Sequence, residues 1–151
     1  MRMRQRDLGD PPWLTVARRE IGVREAFGEA DNARIIEYLK TTHIVPAQYH
    51  DETAWCAAFV GWCLEKSGIE PSRKAKARSY VTWGAELEQP ELGCVVVLTR
   101  GTNPNQGHVG FYVGEDGSDI LLLGGNQNNA VSIAPYAKLR VLSYRWPHGE
   151  D

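Results

Sequence analysis

The apolar and polar positions of this chain change rhythm once, near residue 93. Before that point the apolar residues recur at helical spacing. Pro11-Pro12 opens a first helix, with Trp13, Leu14, Val16, Ala17 and Ile21 on one side and Gly22 as its end, since proline is favoured in a first turn. A second helix is predicted from about Asn32, with Asp31 as cap and Ile35, Ile36 and Leu39 on one stripe. Residues 41–52, with Pro46, read as a loop. The segment Ala54–Leu64 is apolar almost all round, the mark of a helix inside a core, and Ser67-Gly68 closes it. A basic stretch through Arg78 reads as solvated surface, with a short helix over Ser79–Gly84 behind it.

From Gly93 onward, valine-rich runs alternate with Gly, Asn, Asp and Pro signals. Cys94–Leu98, Val109–Val113, Ile120–Leu123, Val131–Ile133 and Val141–Tyr144 read as short strands of an antiparallel meander. Helices first and strands after, without βαβ alternation, define an α+β fold class. No internal repeat or linker interrupts the pattern. The expected organisation is a flexible tail over 1–10, one domain over 11–147 and a short tail over 148–151, within the size at which one core suffices.

The buried helix carries the first candidate for chemistry. With Thr53 as N-cap, Ala54 is the first helical residue and Cys56 the third. A thiol there lies at the positive end of the helix dipole, which favours the thiolate. The plainer reading is that a buried cysteine only fills space, as most do.

Composition narrows the partners. Charged residues are 24% and hydrophobic residues 42% of the chain, and the net charge is −2, so no polyanion-binding face is advertised and nucleic acid is not an expected partner. No apolar run has the length of a membrane span, so no membrane insertion is expected. The basic N-terminus lacks the apolar region of a signal peptide. Synthesis in the cytoplasm without a leader is therefore expected, or a leader has been lost. Cys56 and Cys63 lie seven residues apart on one helix, roughly 10 Å along its axis, beyond the reach of a disulfide. Free thiols in a reducing compartment are the better reading.

A cysteine nucleophile needs a base and an orienting group. His108 begins a strand in Gly107-His108-Val109-Gly110, where flanking glycines leave its side open. His50, on the loop entering the cysteine helix, is the rival base. In Gly124-Gly125-Asn126-Gln127-Asn128-Asn129, Asn126 can supply an amide carbonyl to the imidazole N–H. The same run is equally a hairpin turn, because glycine and asparagine tolerate positive φ. The chain has no Gly-x-Ser-x-Gly elbow, phosphate loop or Cys-x-x-Cys pair. A metal site from Cys56, Cys63 and His108 lacks ligand spacing, and no cofactor is implied. Carboxylates such as Glu25, Asp51 and Glu52 carry no acid/base signature.

Four linked motifs resemble the NlpC/P60–CHAP superfamily of papain-like cell-wall hydrolases, in a small phage- and prophage-type branch. They are Trp55-Cys56-Ala57-Ala58-Phe59-Val60 with Trp62-Cys63; Ala77-Arg78-Ser79-Tyr80 with Trp83-Gly84; Gly107-His108-Val109-Gly110-Phe111; and Gly124-Gly125-Asn126-Gln127. An N-terminal run through Trp13, Ala17, Gly22-Val23, Glu25 and Gly28 also fits. The resemblance implies a papain-like fold with the nucleophile helix packed on the sheet. It implies a cysteine peptidase or amidase that cleaves an amide of the peptidoglycan stem peptide through a thioester. The site it implies has Cys56 as nucleophile, His108 as base and Asn126 as orienting residue, with Trp55, Gln127, Trp83 and Glu25 at the substrate.

A monomeric endolysin or exported antibacterial enzyme is expected, reaching the wall by a holin or secretion machine. The alternatives are an N-acetylmuramoyl-L-alanine amidase and an inactive wall-binding module. The chain departs from the family in Gly93-Cys94, where Gly-Asp is usual. It also lacks the Gly-Cys-Trp signature of true papain enzymes and any wall-binding repeat.

Overall fold

The computed structural model describes residues 9–25, 29–43 and 55–149, with residues 29–32 described by their backbone alone. The expected Thr53 cap, the rival base His50, and Asp51 and Glu52 lie outside the described residues.

Three helices precede the sheet: α1 (Pro12–Arg19), α2 (Glu29–Leu39) and α3 (Cys56–Lys66). α1 has proline in its first turn and Arg18 and Arg19 in its last, where cations complement the helix dipole. It stops short of Ile21, which is left exposed. α2 begins at Glu29, before the expected Asp31 cap. α3 packs against α1 and α2 and against the sheet, so Cys56–Leu64 are all buried. That explains an apolar pattern with no polar face. Ser67 caps it and Gly68, at φ 79°, turns the chain away. A 3-10 helix (Ala77–Thr82) follows.

Six strands form one antiparallel sheet: β1 (Ala85–Leu87), β2 (Val95–Thr99), β3 (Gly107–Asp116), β4 (Asp119–Gln127), β5 (Ala130–Ala137) and β6 (Val141–Trp146). β2 through β5 are the expected meander. β6 departs from it, because it returns to pair with β2 instead of extending beyond β5, giving the order β1-β6-β2-β3-β4-β5. A 3-10 turn (Lys138–Arg140) makes that crossing. The Arg140 guanidinium donates to the carbonyl of Thr99 at the end of β2 (2.8 Å), seating Val141 beside Leu98. β1 had no sequence signal; three residues with two exposed carry no periodicity.

Val95–Leu98 of β2 are all buried, as a central strand covered on both faces requires. β5 alternates along its outer part because it is an edge. The indole of Trp13 donates to the carbonyl of Gly93 (2.7 Å) and meets Trp146 edge-on, pinning α1 to the start of β2.

Candidate active site

The thiol of Cys56 sits at the first residue of α3, not the third. Trp55 holds the cap position with non-helical φ −121° and ψ 15°, and no side chain caps the helix there. The Trp55 indole is fixed from outside the helix: it is fully buried, stacked on Tyr38 and donates to Oε1 of Glu25 (2.6 Å). The first helical bond runs from the N–H of Phe59 to the carbonyl of Trp55 (2.9 Å). Cys56, Ala57 and Ala58 therefore have no intrahelical acceptor for their N–H groups. The N–H groups of Val109, Ala57 and Cys56 itself face the sulfur.

His108 follows Gly107 at the start of β3, opposite Leu98 of β2. A Cβ on Gly107 would lie 2.8 Å from the carbonyl of Leu98, so that close strand contact requires glycine. The ring Nε2 is 2.9 Å from Oε1 of Gln127 and 3.2 Å from the hydroxyl of Tyr136. Tyr136 pairs with Ile120 far along β5, at the end from which the chain turns back through Lys138–Arg140 to the side of β2, next to the strand that carries His108.

The amide of Gln127 is locked. Its Nε2 donates to the carbonyls of Ser132 (2.7 Å) and Leu122 (3.2 Å), so the carbonyl end must face the imidazole. Nε2 of His108 is then the protonated nitrogen of the neutral ring, and Nδ1 keeps its lone pair. The hydrogen-bond partners of the His108 ring are Gln127 and Tyr136, and among the described residues no hydrogen bond joins it to Cys56.

The glycine-asparagine run now separates into distinct jobs. A Cβ on Gly124 would lie 2.5 Å from Oε1 of Gln127, so glycine there clears the path of that side chain to His108. A Cβ on Gly125 would lie 2.7 Å from Phe59 and 2.8 Å from Trp55, so glycine there lets α3 lie against β4. Asn126, at φ 58°, sits in a register shift between Gly124 and Gln127. This bulge adds a residue, so Gln127 and not Asn126 is the amide on the imidazole. Asn128 and Asn129, at φ 57° and 62°, form the two-residue hairpin turn. The run thus supplies an amide bonded to the imidazole at Gln127 and a turn at Asn128 and Asn129.

Two cavities of about 180 Å³ each open at this point. One is lined by Cys56, Lys76, Arg100 and Asn105, among others. The other is lined by His108, Asn126, Gln127, Tyr136, Arg100 and Arg140. Arg100 borders both.

The remaining expected substrate residues lie elsewhere. Trp55 has no exposed surface, and Glu25 joins its indole to the β4–β5 turn, donating its own N–H to the carbonyl of Asn129 (2.8 Å). Both hold the helix start and line neither cavity. Trp83 donates to the carbonyl of Glu70 (3.0 Å) and lines a separate cavity of about 270 Å³ with Ser72, Lys74, Ser79 and Thr82. Arg100, Tyr136 and Arg140 are not legible as site residues, because only the β2–β3 pairing and the crossing to β6 bring them to His108. Among the described residues, no group of three or more His, Cys, Asp or Glu could hold a metal ion. None of the described helices is long and apolar enough to cross a membrane.

Burial dominates the electrostatics. It pushes the Cys56 thiol up, against the facing N–H groups and Arg100, which pull it down. It also pushes His108 down to about 4, with Arg140 and Arg100 adding to the effect and Gln127 opposing it. Position at a helix start favoured a thiolate; the dry site favours a neutral thiol beside a neutral imidazole.

The sign for stability follows. His108 takes a proton less readily folded (about 4) than unfolded (6.5), so stability is lost as pH falls through that window. The loss expected from His108 alone is about 2–3 kcal/mol on going from about pH 7.5 to about pH 4.5. Urea unfolding of wild type and His108→Asn at both pH values measures it: the variant should lose that much less stability on acidification.

The fold and the site define a class first: a papain-like α+β protein in which a cysteine at the start of a buried helix lies against the antiparallel strand that carries a histidine. The family model for the CHAP domain matches residues 48–126, and the chain belongs to that family, within the NlpC/P60–CHAP superfamily. The endolysin LysIME-EF1 shares the fold at TM-score 0.52 and 16% identity, over 78% of this chain and 65% of that one. An NLP/P60-family protein described as similar to lipoprotein, from Staphylococcus aureus subsp. aureus Mu50, also gives TM-score 0.52 and 16% identity, over 91% of this chain and 41% of that one. The chain thus spans less than two thirds of the length of either structure. Among curated protein sequences none matches.

Proposed function

We propose that this protein is a peptidoglycan hydrolase that cleaves an amide bond of the stem peptide, with Cys56 as nucleophile, His108 as base and Gln127 as the residue that orients the imidazole. The observation that carries this reading is the locked Gln127 amide. It fixes one tautomer of His108 beside a cysteine that opens into a cavity at a helix start. A residue that only filled space would need neither the cavity nor the oriented ring. Membership of the CHAP family supports a wall substrate, as does the endolysin name of one fold relative.

The raised thiol and the lowered imidazole support proton transfer during attack instead of a preformed ion pair. The Cys56 thiol gives its proton to Nδ1 of His108 as the sulfur attacks the amide carbonyl. The developing imidazolium is stabilised by its Nε2–H bond to Gln127. The free N–H at the start of α3 donates to the oxyanion. Collapse breaks the C–N bond and the Nδ1 proton passes to the leaving amine. A water then attacks the thioester, returning the proton to sulfur and releasing the acid.

Incubation of purified protein with isolated sacculi tests the reading. New amino groups and soluble fragments are expected, and mass spectrometry of the fragments identifies the bond. A fragment ending in a free muramoyl lactyl acid would assign the muramoyl–L-alanine amide. Fragments cut within the stem would assign an endopeptidase. Intact sacculi would refute hydrolysis altogether.

A further inference from the structure

The wall of the His108 cavity carries a charge pattern that the reaction itself does not use. Arg100 follows the last residue of β2, and Thr99 and Gly107 pair directly across from each other, so Arg100 sits at the open end of the β2–β3 pair beside His108. Its side chain lines the cavities of both Cys56 and His108 and makes no ion pair with any described residue. Arg140 lines the His108 cavity from the other side, with its guanidinium stacked over Tyr136 and two of its nitrogens bonded to the carbonyl of Thr99. Lys76 borders the Cys56 cavity. No acidic side chain lines either cavity among the described residues.

Two guanidinium groups held beside the base are costly unless something offsets them. They disfavour a second positive charge on the imidazole during the reaction. A substrate anion bound between them would remove that penalty and hold the substrate at the same time. A carboxylate matches a guanidinium with paired hydrogen bonds. The side of the substrate is fixed by the proton: His108 gives it to the leaving amine, so the leaving group lies in the His108 cavity with Arg100 and Arg140.

The geometry points to specificity for amides whose amine-side residue bears a free carboxylate next to the scissile bond, read by Arg100 and Arg140. This rests on the hydrolase reading above and adds the chemical class of the leaving group. The cut would release a residue with a new amino group and its carboxylate still free.

Sacculi provide the test before and after carbodiimide coupling of their carboxylates to ammonia, which keeps every bond but replaces carboxylate by primary amide. Wild-type protein is expected to digest the amidated wall at least about tenfold more slowly, the range for losing a charge-assisted hydrogen bond. Arg100→Gln should slow digestion of the native wall similarly and show little further loss on amidation. Arg140→Gln should do the same where circular dichroism shows it folded. Lys74→Gln, in the separate Trp83 cavity, should behave as wild type. Equal digestion of both walls by wild type overturns the carboxylate assignment and leaves the hydrolase reading standing. So does an amidation effect that survives Arg100→Gln undiminished. No digestion of the native wall refutes the hydrolase reading, and this inference with it.

Discussion

Cys56→Ala is expected to reduce release of amino groups from sacculi by at least about a thousandfold, to the level of residual binding effects. The cost in stability should be small. The thiol is buried but opens on a cavity, and removing one sulfur from such a site costs about 1 kcal/mol. A thermal melt within a few degrees of wild type would therefore separate lost chemistry from lost folding. Cys63→Ala is the matched control. Cys63 lies on the same helix, is fully buried and lines neither cavity, so activity should persist while stability falls by a similar amount. Full activity in Cys56→Ala would refute the nucleophile assignment, whatever the control shows.

Gln127→Leu is expected to lower kcat by about a hundredfold, with a smaller effect on KM, because the imidazole loses the carbonyl that fixes its tautomer and stabilises its charged form. Some stability is lost too. The carbonyls of Leu122 and Ser132 that Gln127 satisfies would be left without that donor, at about 1–3 kcal/mol. The informative comparison is Asn126→Gly. Asn126 sits at φ 58°, which glycine adopts freely, and no side-chain bond joins it to His108. Its activity should stay within about threefold of wild type, an effect below 1 kcal/mol. If Asn126→Gly proves as damaging as Gln127→Leu, the triad assignment is wrong. Nearly full activity in Gln127→Leu would leave His108 without a required orienting residue.

The one-residue difference between Asn126 and Gln127 shows where reading the chain runs out. The run Gly124–Asn129 offers both amides and a turn by residue type, and the structure has an amide bonded to His108 and a turn. Which residue does which depends on a bulge, and a bulge is a property of two paired strands. Asn126 and Gln127 are both amides, and only the register shift decides which of them points at His108. The position of Cys56 was misjudged for a related reason. Thr53 is a good capping residue by type, but the cap falls at Trp55, whose indole is fixed by Tyr38 and Glu25 from distant parts of the chain.

The tryptophans follow the same logic. Trp55 is adjacent to the nucleophile candidate in sequence, yet it faces the core, as a large aromatic side chain at the entry of a buried helix does. The protonation state changed as well. Helix position alone favours thiolate, and that effect is modest. The burial that packing imposes outweighs it.

By itself the sequence determined the fold class, the helix that holds Cys56, the strand that holds His108 and the glycine-asparagine run that supplies the amide, because these rest on local periodicity and residue type. Only the tertiary structure decided that β6 returns to β2, that Gln127 holds the imidazole, that Trp55 and Glu25 brace the helix start, and that Arg100 and Arg140 lie at His108. The physical reason is range. Hydrophobic period and turn chemistry act over a few residues, whereas register, strand order and desolvation arise only when distant segments are packed together.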